Sequence, residues 1–212
     1  LYLLRQSEFW DEKSRWYVAQ AERELARVAH VARQTLGFYR DTALPTWVNL
    51  SQTAEEVVSL YLPRIENRKI KLASDFDPRA QVMGLAGEIR QVISNLVANA
   101  IDALDEGGTL RIRVYRCREL NELGRLGARI IIADGGSGIP ADQRKKLFEP
   151  FFTTKQDVGT GLGLWVSREM VRKHGGNIRL RSSTGPQRRG TVFSIFLPTE
   201  TALDSRNYRA VS

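Results

Sequence analysis

The sequence predicts an α+β fold in which a helical hairpin precedes a mixed helix-and-strand domain. In residues 14–41, apolar side chains recur every three to four positions, and Gly37 is the only helix breaker, as expected for an amphipathic helix. After Pro45, helical and alternating strand patterns follow one another as far as Pro198. Because proline disfavours helical geometry in the residue before it, we place a domain boundary at Pro45. The predicted divisions are a partial hairpin at 1–44, the mixed domain at 45–198 and a loose tail at 199–212.

The composition excludes several classes of protein. With 212 residues, 42% of them hydrophobic, the chain can bury a core, and disorder, collagen and disulfide scaffolds are ruled out. The net charge of +8 arises in residues 111–129 and 179–212, each with six arginines against two carboxylates. Arginines there alternate with apolar residues, which indicates half-buried strands with a solvated basic face. Stacking aromatic residues are scarce, so we predict no nucleic-acid partner.

The location of the chain is predicted from its cysteine content and its apolar runs. Cys117 is the single cysteine, which favours a reducing compartment and a cytoplasmic location. No apolar run approaches the roughly 18 to 20 residues that cross a bilayer, and no signal-peptide pattern is present. Because Leu1 lies inside a helical pattern and is not a methionine, we expect a fragment of a longer protein.

The elements of the mixed domain are predicted from periodicity and breakers. A helix at 48–62 begins at an N-cap, Asn49 or Ser51, and is expected to stop at Pro63. A helix at 163–173 is closed by Gly175. The other predicted elements are a strand at 70–76, a helix at 88–104, strands at 109–117 and 128–133, a short helix near 141–147, and strands at 177–183 and 190–197.

The helix at 88–104 carries an unusual polar stripe. Glu88, Gln91, Asn95, Asn99 and Asp102 are spaced by three and four residues and therefore share one face. Such a stripe is usually a solvated surface, but asparagine is a poor helix former. Because an amide oxygen can coordinate Mg²⁺ and an amide NH₂ can donate to phosphate, the pair of asparagines could instead hold a metal triphosphate.

A glycine-rich loop at 134–140 follows an apolar strand. A turn of this kind is often only a connection. Asp134, at the end of the strand, could accept a hydrogen bond from an exocyclic amine such as that of adenine, and the glycines would let a flat ring approach the backbone.

A second glycine-rich segment, 159–164, stands immediately before a helix. Alternating glycines at a helix start expose backbone N–H groups beside the positive end of the helix dipole, which predicts an anion site. No Gly-Lys-Ser/Thr follows, so the segment is not a Walker A motif. The run 148–155 before it is either a hydrophobic turn or the anchor of a lid from which Thr154 or Lys155 reaches phosphate.

The order and spacing of these motifs resemble the catalytic and ATP-binding domain of sensor histidine kinases. This domain belongs to an ATPase superfamily that includes DNA gyrase, heat-shock chaperone ATPases and mismatch-repair ATPases. The resemblance covers 48–198, and it implies a two-layer α/β sandwich in which helices cover a mixed, mostly antiparallel sheet. The matching segments are 88–102 (N box), 134–139 (G1 box), 148–152 (F box) and 159–164 (G2 box).

The resemblance also assigns roles by position. It implies that Asn99 coordinates Mg²⁺, that Asn95 assists at the phosphates and that Asp134 binds the adenine amine of ATP. The implied catalytic residues are Asn95, Asn99 and Lys155. The implied nucleotide-binding residues are Asn95, Asn99, Asp102, Asp134, Gly136, Gly138, Ile139, Phe148, Thr154, Lys155, Gly159, Thr160, Gly161, Leu162, Gly163 and Leu164.

Two positions depart from the family pattern. The G1 box usually has Asn where Gly135 stands, and many kinases have a basic residue where this chain has Asp102. The second departure removes a cation that would face phosphate. We therefore expect Lys155 or a residue elsewhere to supply that charge.

The resemblance implies transfer of the ATP γ-phosphoryl group to a histidine, followed by relay to an aspartate of a response regulator. The hairpin resembles the dimerisation and phosphotransfer domain, which implies a homodimer in the intact parent. Because His30 lies on the second helix of the hairpin, we expect it to pack in the bundle and the acceptor to lie upstream of Leu1. His174 is predicted to be a helix-end residue whose protonated form suits the helix dipole.

Two alternatives remain at this stage. One is an ATPase clamp of the same superfamily, although such proteins usually place a Glu where Asn95 stands. The other is a degenerate kinase that serves only as a dimerisation module.

Overall fold

The computed structural model describes residues 13, 15–21, 44–119, 124–154, 160–185 and 188–200. Residues 15–21 are helical, as predicted for this part of the chain. The rest of the predicted hairpin, including His30, and the tail from residue 201 onwards lie outside the described residues. So do Lys155 and Gly159.

Eleven elements follow one another from residue 46 to residue 198 of the described chain. They are β1 (Thr46–Asn49), α1 (Leu50–Asn67), β2 (Lys71–Phe76), β3 (Gln81–Gly84), α2 (Ala86–Ala103), β4 (Thr109–Arg118), β5 (Leu126–Asp134), α3 (Ala141–Arg144), α4 (Gly163–Lys173), β6 (Asn177–Gly185) and β7 (Arg188–Pro198). Among the described residues, no helix combines the length and the apolar character needed to span a membrane.

The main sheet has the strand order β2-β4-β5-β7-β6. β2 pairs with β4 in parallel, and the other neighbouring pairs are antiparallel. Directly paired residues lie on one face of a sheet, so the row Ile112, Ile132, Phe193 and Leu180 forms part of a continuous apolar surface. This surface packs against α1, α2 and α4 in one core. The predicted α+β class and the mixed, mostly antiparallel sheet are confirmed.

The opposite face of the sheet carries the basic strand residues. Arg111 and Arg113 of β4 and Arg179 and Arg181 of β6 are exposed. The solvated basic face predicted from alternation is therefore present.

The prediction that α1 stops at Pro63 is wrong. The helix runs on to Asn67, with Pro63 inside it. Tertiary contacts hold the turn beyond the proline: Ile65 is buried, and the Arg68 guanidinium donates to two carbonyl groups at the end of α2. The N-cap prediction is confirmed, because Asn49 Oδ1 accepts hydrogen bonds from the backbone N–H groups of the second and third residues of the helix.

Two short strands were not predicted. β1 and β3 form a separate antiparallel ribbon in which Val48 is paired with Val82, and both of these side chains are buried in the core. Each strand has four residues, too few for a clear alternating pattern. Because Asn49 is paired with Gln81 and Thr46 with Gly84, α1 and α2 begin at opposite ends of the ribbon.

The C-terminus of α4 follows the prediction at Gly175. This glycine has φ +71°, its N–H donates to the Arg172 carbonyl, and the next N–H, of Gly176, donates to the Val171 carbonyl. These two bonds define a Schellman motif, which satisfies the last carbonyl groups of the helix.

His174 lies at the end of α4 as predicted, but its surroundings favour the neutral form and not the protonated form that would suit the helix dipole. The side chain is 2% exposed, and burial lowers its pKa below the ordinary value of 6.5. The Nε2 atom accepts the Leu85 N–H at 3.0 Å, and Nδ1 lies 2.8 Å from the Met170 carbonyl oxygen. A neutral ring protonated on Nδ1 satisfies both contacts. His174 is therefore a neutral link between the start of α2 and the end of α4.

Candidate functional site

Helix α2 forms the base of the candidate site. Its apolar side, which includes Ile93, Leu96 and Val97, is buried in the core. Asn95 and Asn99 lie on a different side and are half-buried. The two asparagines are one helical turn apart, so their amide groups are neighbours on the helix surface.

Asn95 connects α2 to the start of α4. Its Nδ2 donates to the Gly163 carbonyl at 3.3 Å and to Ser167 Oγ at 3.2 Å. Ser167 Oγ in turn donates to the same Gly163 carbonyl at 2.7 Å. The first asparagine of the N box therefore positions the helix whose N-terminus is the predicted phosphate site. Ser167 was not singled out from the sequence, although its spacing of four from Gly163 on a helix was visible.

Asp102, on the last turn of α2, pairs with Arg64 of α1. The Arg64 guanidinium donates to Asp102 Oδ1, and both side chains are partly accessible to solvent. Arg64 was missed in the sequence because the helix was expected to stop at Pro63.

The G1 loop is docked on the end of α2 through its backbone. Gly136 N–H donates to Asp134 Oδ1 at 2.9 Å, and Ser137 N–H donates to the Ala103 carbonyl at 3.3 Å. A Cβ on Gly136 would lie 2.2 Å from that same carbonyl oxygen. Glycine is thus required at position 136 by the close approach of two backbones.

Asp134 is buried at the end of β5, as predicted from the sequence. Burial raises the pKa of its carboxyl above the ordinary value of 3.8, although backbone N–H groups of Gly136 and Thr191 oppose the shift. A carboxyl group in such a place is a directed hydrogen-bond acceptor with little competition from water.

Gly138 and Ile139 attach the far side of the G1 loop to β6. Gly138 has φ +73°, and a Cβ there would lie 2.0 Å from the Ser183 carbonyl oxygen. Ile139 N–H donates to Ser182 Oγ at 2.7 Å. The loop is consequently held between α2 and β6, and its path is determined by both contacts.

The F box and the G2 box are packed against each other. Phe148 is half-buried against the core, with the Arg168 guanidinium 5.5 Å from its ring centre. Phe151 is 73% exposed and has φ +66°, an unfavourable conformation for a bulky residue. A Cβ on Gly161, which also has φ +66°, would lie 2.3 Å from the Phe151 carbonyl carbon. The two segments approach too closely for any residue but glycine at 161.

The N-terminus of α4 lies within the G2 box. Its N-cap residue, Leu162, makes no side-chain cap hydrogen bond, and the Leu162 side chain is buried in the core. Thr160 Oγ1 accepts the Leu162 N–H at 3.3 Å. Gly163 and Leu164 begin the helix, so their backbone amides lie at its N-terminus, where the sequence predicted an anion site.

The structure brings most of the predicted residues to one region. The C-terminal half of α2 contacts the start of α4 through Asn95 and the G1 loop through Ala103. Thr154, after the F box, is exposed.

The donor set suits Mg²⁺ held partly by a substrate. Within the described ranges, no group of three or more His, Cys, Asp or Glu side chains could hold a metal ion by itself. Towards the end of α2, Asn99 carries an amide oxygen and Asp102 a carboxylate, one oxygen of which is paired with Arg64. Mg²⁺ commonly takes one or two protein oxygens and completes its shell with phosphate and water, so these residues fit it.

A family model described as histidine kinase-, DNA gyrase B-, and HSP90-like ATPase matches residues 84–201, which is more than half of the chain. The chain belongs to this family. It is a histidine-kinase-type ATPase catalytic domain, as its motifs predicted.

Known sensor kinases and their catalytic domains are similar to it. Sensor histidine kinase ZraS of Salmonella typhimurium is 34% identical over 176 residues, which is 82% of this chain and 33% of ZraS. The chain thus spans about a third of that relative's length. The nucleotide-free catalytic domain of histidine kinase ThkA has a TM-score of 0.64 at 29% identity, covering 77% of this chain and 100% of that domain. ThkA in complex with the response regulator protein TrrA has a TM-score of 0.68 at 27% identity, covering 97% of this chain and 57% of ThkA.

Proposed function

We propose that this chain is the ATP-binding catalytic part of a sensor histidine kinase, which transfers the γ-phosphoryl group of ATP to a histidine for relay to a response-regulator aspartate. The observation that carries the proposal is that the G1 loop and the start of α4 both contact the C-terminal half of α2, the helix that contains the N box. Such a site provides a base pocket, a metal ligand and a phosphate site in one place. The proposed divisions are the partial phosphotransfer hairpin at 1–44, the catalytic domain at 45–198 and a tail at 199–212.

Each segment has a role in the proposed site. The carboxyl of Asp134 accepts a hydrogen bond from the exocyclic amine of adenine, and the backbone amides at the start of α4 bind phosphate. Asn99 holds Mg²⁺, which neutralises charge on the phosphates when bound. Asn95 orients α4 through Gly163. Phosphoryl transfer depends mainly on positioning and charge neutralisation, so this set of residues needs no nucleophile of its own.

The proposed partners follow from the relatives. The ThkA–TrrA complex supports a response-regulator receiver domain as the protein that takes the phosphoryl group. We also propose a cytoplasmic location and a homodimer formed through the hairpin in the intact parent. The proposed acceptor histidine lies upstream of Leu1.

The contacts of Asn95 argue against the ATPase-clamp alternative. A clamp ATPase needs a general base to activate water. An amide cannot take up a proton at neutral pH, and the Nδ2 of Asn95 is already bound to Gly163 and Ser167.

Nucleotide binding tests the proposal directly. We expect the chain to bind Mg-ATP in calorimetry, and Asn99→Ala to abolish the Mg²⁺-dependent part of the affinity while the circular dichroism spectrum is unchanged. Asn67→Ala, an exposed asparagine at the end of α1, is the matched control and should bind as the unaltered chain does. An unchanged affinity in Asn99→Ala would refute the assignment.

Phosphoryl transfer is tested with radiolabelled ATP. We expect the chain to bind nucleotide without labelling itself. Label on His30 that is lost in acid and stable in alkali would contradict the proposed position of the acceptor, while still supporting kinase chemistry.

A further inference from the structure

We propose that Arg64 supplies to the nucleotide phosphates the positive charge that is absent at position 102 of the N box, where this chain has an aspartate. The inference rests on the proposed function and adds one binding residue to it. It concerns a side chain of α1, a helix outside the four sequence motifs.

Arg64 reaches the site because α1 continues beyond Pro63. The extra turn places Arg64 beside the last turn of α2, where its guanidinium donates to Asp102 Oδ1. The Arg64 side chain is 45% exposed and that of Asp102 28% exposed, so a ligand at the surface can reach the pair.

Asp102 stands at the end of the polar stripe that lies nearest to the G1 loop. It follows Asn99 by three residues and therefore shares its face of the helix. The next residue, Ala103, accepts a hydrogen bond from Ser137 of the G1 loop. Arg64 is thus held between the proposed metal ligand and the proposed base pocket.

The charge at this position requires a compensating cation. An unpaired carboxylate at Asp102 would repel phosphate, whereas many sensor kinases have a basic residue there. Pairing with Arg64 neutralises the carboxylate and brings a guanidinium to the same place. A guanidinium has five N–H donors in a planar fork that matches phosphate oxygens, so it can contact a carboxylate and a phosphate together.

A purely structural role explains the pair less well. Exposed ion pairs contribute little to stability. The Arg90–Glu56 pair, with 2.6 Å between Nη1 and Oε2, already joins α1 and α2. A hydrogen bond of 2.9 Å between the hydroxyl groups of Tyr61 and Ser94 also joins these two helices. The Arg64–Asp102 pair lies nearest to the G1 loop along α2.

The test compares the binding of Mg-ATP with the binding of adenosine in variants of Arg64 and in a control variant. Because Arg64 would contact phosphate and not the base, Arg64→Ala should weaken Mg-ATP binding about tenfold or more and leave adenosine binding unchanged, both measured by calorimetry. Arg64→Gln, which keeps the length and helix propensity of the side chain, should behave in the same way. Arg90→Ala removes the neighbouring ion pair and should change neither affinity.

A second variant tests the charge itself. In the Arg64→Ala background, Asp102→Lys places a cation on α2 and should restore most of the lost Mg-ATP affinity. Unchanged Mg-ATP affinity in Arg64→Ala and Arg64→Gln would overturn the inference, and so would an equal loss of adenosine affinity. If the unaltered chain binds no Mg-ATP, the proposed function fails and this inference fails with it. If the unaltered chain binds Mg-ATP and the Arg64 variants bind it equally well, the proposed function stands and only the role of Arg64 fails.

Discussion

Single glycines determine where the nucleotide loops lie. Positions 135 and 136 are adjacent in the G1 loop but differ in their surroundings. A Cβ on Gly136 would collide with the Ala103 carbonyl oxygen, while a Cβ on Gly135 would have its nearest neighbour, the Thr109 carbonyl oxygen, at 3.9 Å. Position 135 therefore has room for a side chain, such as the asparagine that the family usually has there, and does not require glycine.

The pair of glycines gives a matched prediction. Gly136→Ala should push the G1 loop away from α2, lower the free energy of unfolding by about 1–3 kcal/mol and weaken ATP binding. Gly135→Ala should change stability by less than about 0.5 kcal/mol. Urea denaturation and calorimetry measure the two effects. Equal behaviour of the two variants would show that the close contact at Gly136 does not exist.

At the scale of elements, the contact between α1 and α2 continues to the end of both helices. Helix ends leave four carbonyl groups without partners in the helix. Arg68, just after α1, donates from Nη1 to the Ile101 carbonyl at 2.6 Å and from Nη2 to the Leu104 carbonyl at 2.5 Å. The side chain of Arg68, the residue that follows α1, thus caps the C-terminal end of α2, the helix that carries the asparagines.

Removal of this cap should therefore be costly. Arg68→Ala leaves two partly buried carbonyl groups without the charged donor, and we expect a loss of about 1–3 kcal/mol in the free energy of unfolding. Lys69→Ala is the control: it removes an exposed pair with Glu106 and should cost less than about 1 kcal/mol. Guanidinium denaturation compares them. A loss in Arg68→Ala no larger than that in Lys69→Ala would refute the capping role.

At the scale of the whole molecule, α2 and α4 are joined at both ends of their contact. Near the proposed nucleotide site, Asn95 is bound to the first turn of α4. At the other end, Glu88 Oε1 lies 2.5 Å from Lys173 Nζ, and His174 accepts the Leu85 N–H. The two asparagines and the N-terminus proposed to bind phosphate therefore belong to one pair of joined helices.

The neutral His174 makes the stability of this pair depend on pH. Because burial lowers the pKa of His174 in the folded state, the unfolded chain binds the proton more tightly. The stability that the neutral ring contributes to the folded state is fully present above the unfolded pKa of about 6.5. This stability is lost as the pH falls from that value towards the lower pKa of the folded state. Glu88 and Lys173 face the ring with opposite charges and oppose each other's effect.

The expected result is a decrease in the free energy of unfolding between about pH 7 and pH 5.5, measured by urea denaturation. His174→Gln, which cannot titrate in this range, should show a smaller dependence on pH than the unaltered chain. If both chains have the same pH dependence, His174 is not the responsible group.

The fold class, the family and the motifs of the proposed site could all be predicted from the amino-acid sequence. Periodicity located α2, α4 and the main strands to within a few residues, and the spacing of the asparagines and glycines identified the motifs, because these signals depend on local geometry. Three features could be known only from the three-dimensional structure: α1 continues beyond Pro63, burial favours the neutral form of His174, and Arg64 pairs with Asp102. Each of these depends on residues distant in sequence: packing of Ile65 and capping by Arg68 outweigh the missing hydrogen bond of a proline, and burial of an imidazole outweighs the helix dipole.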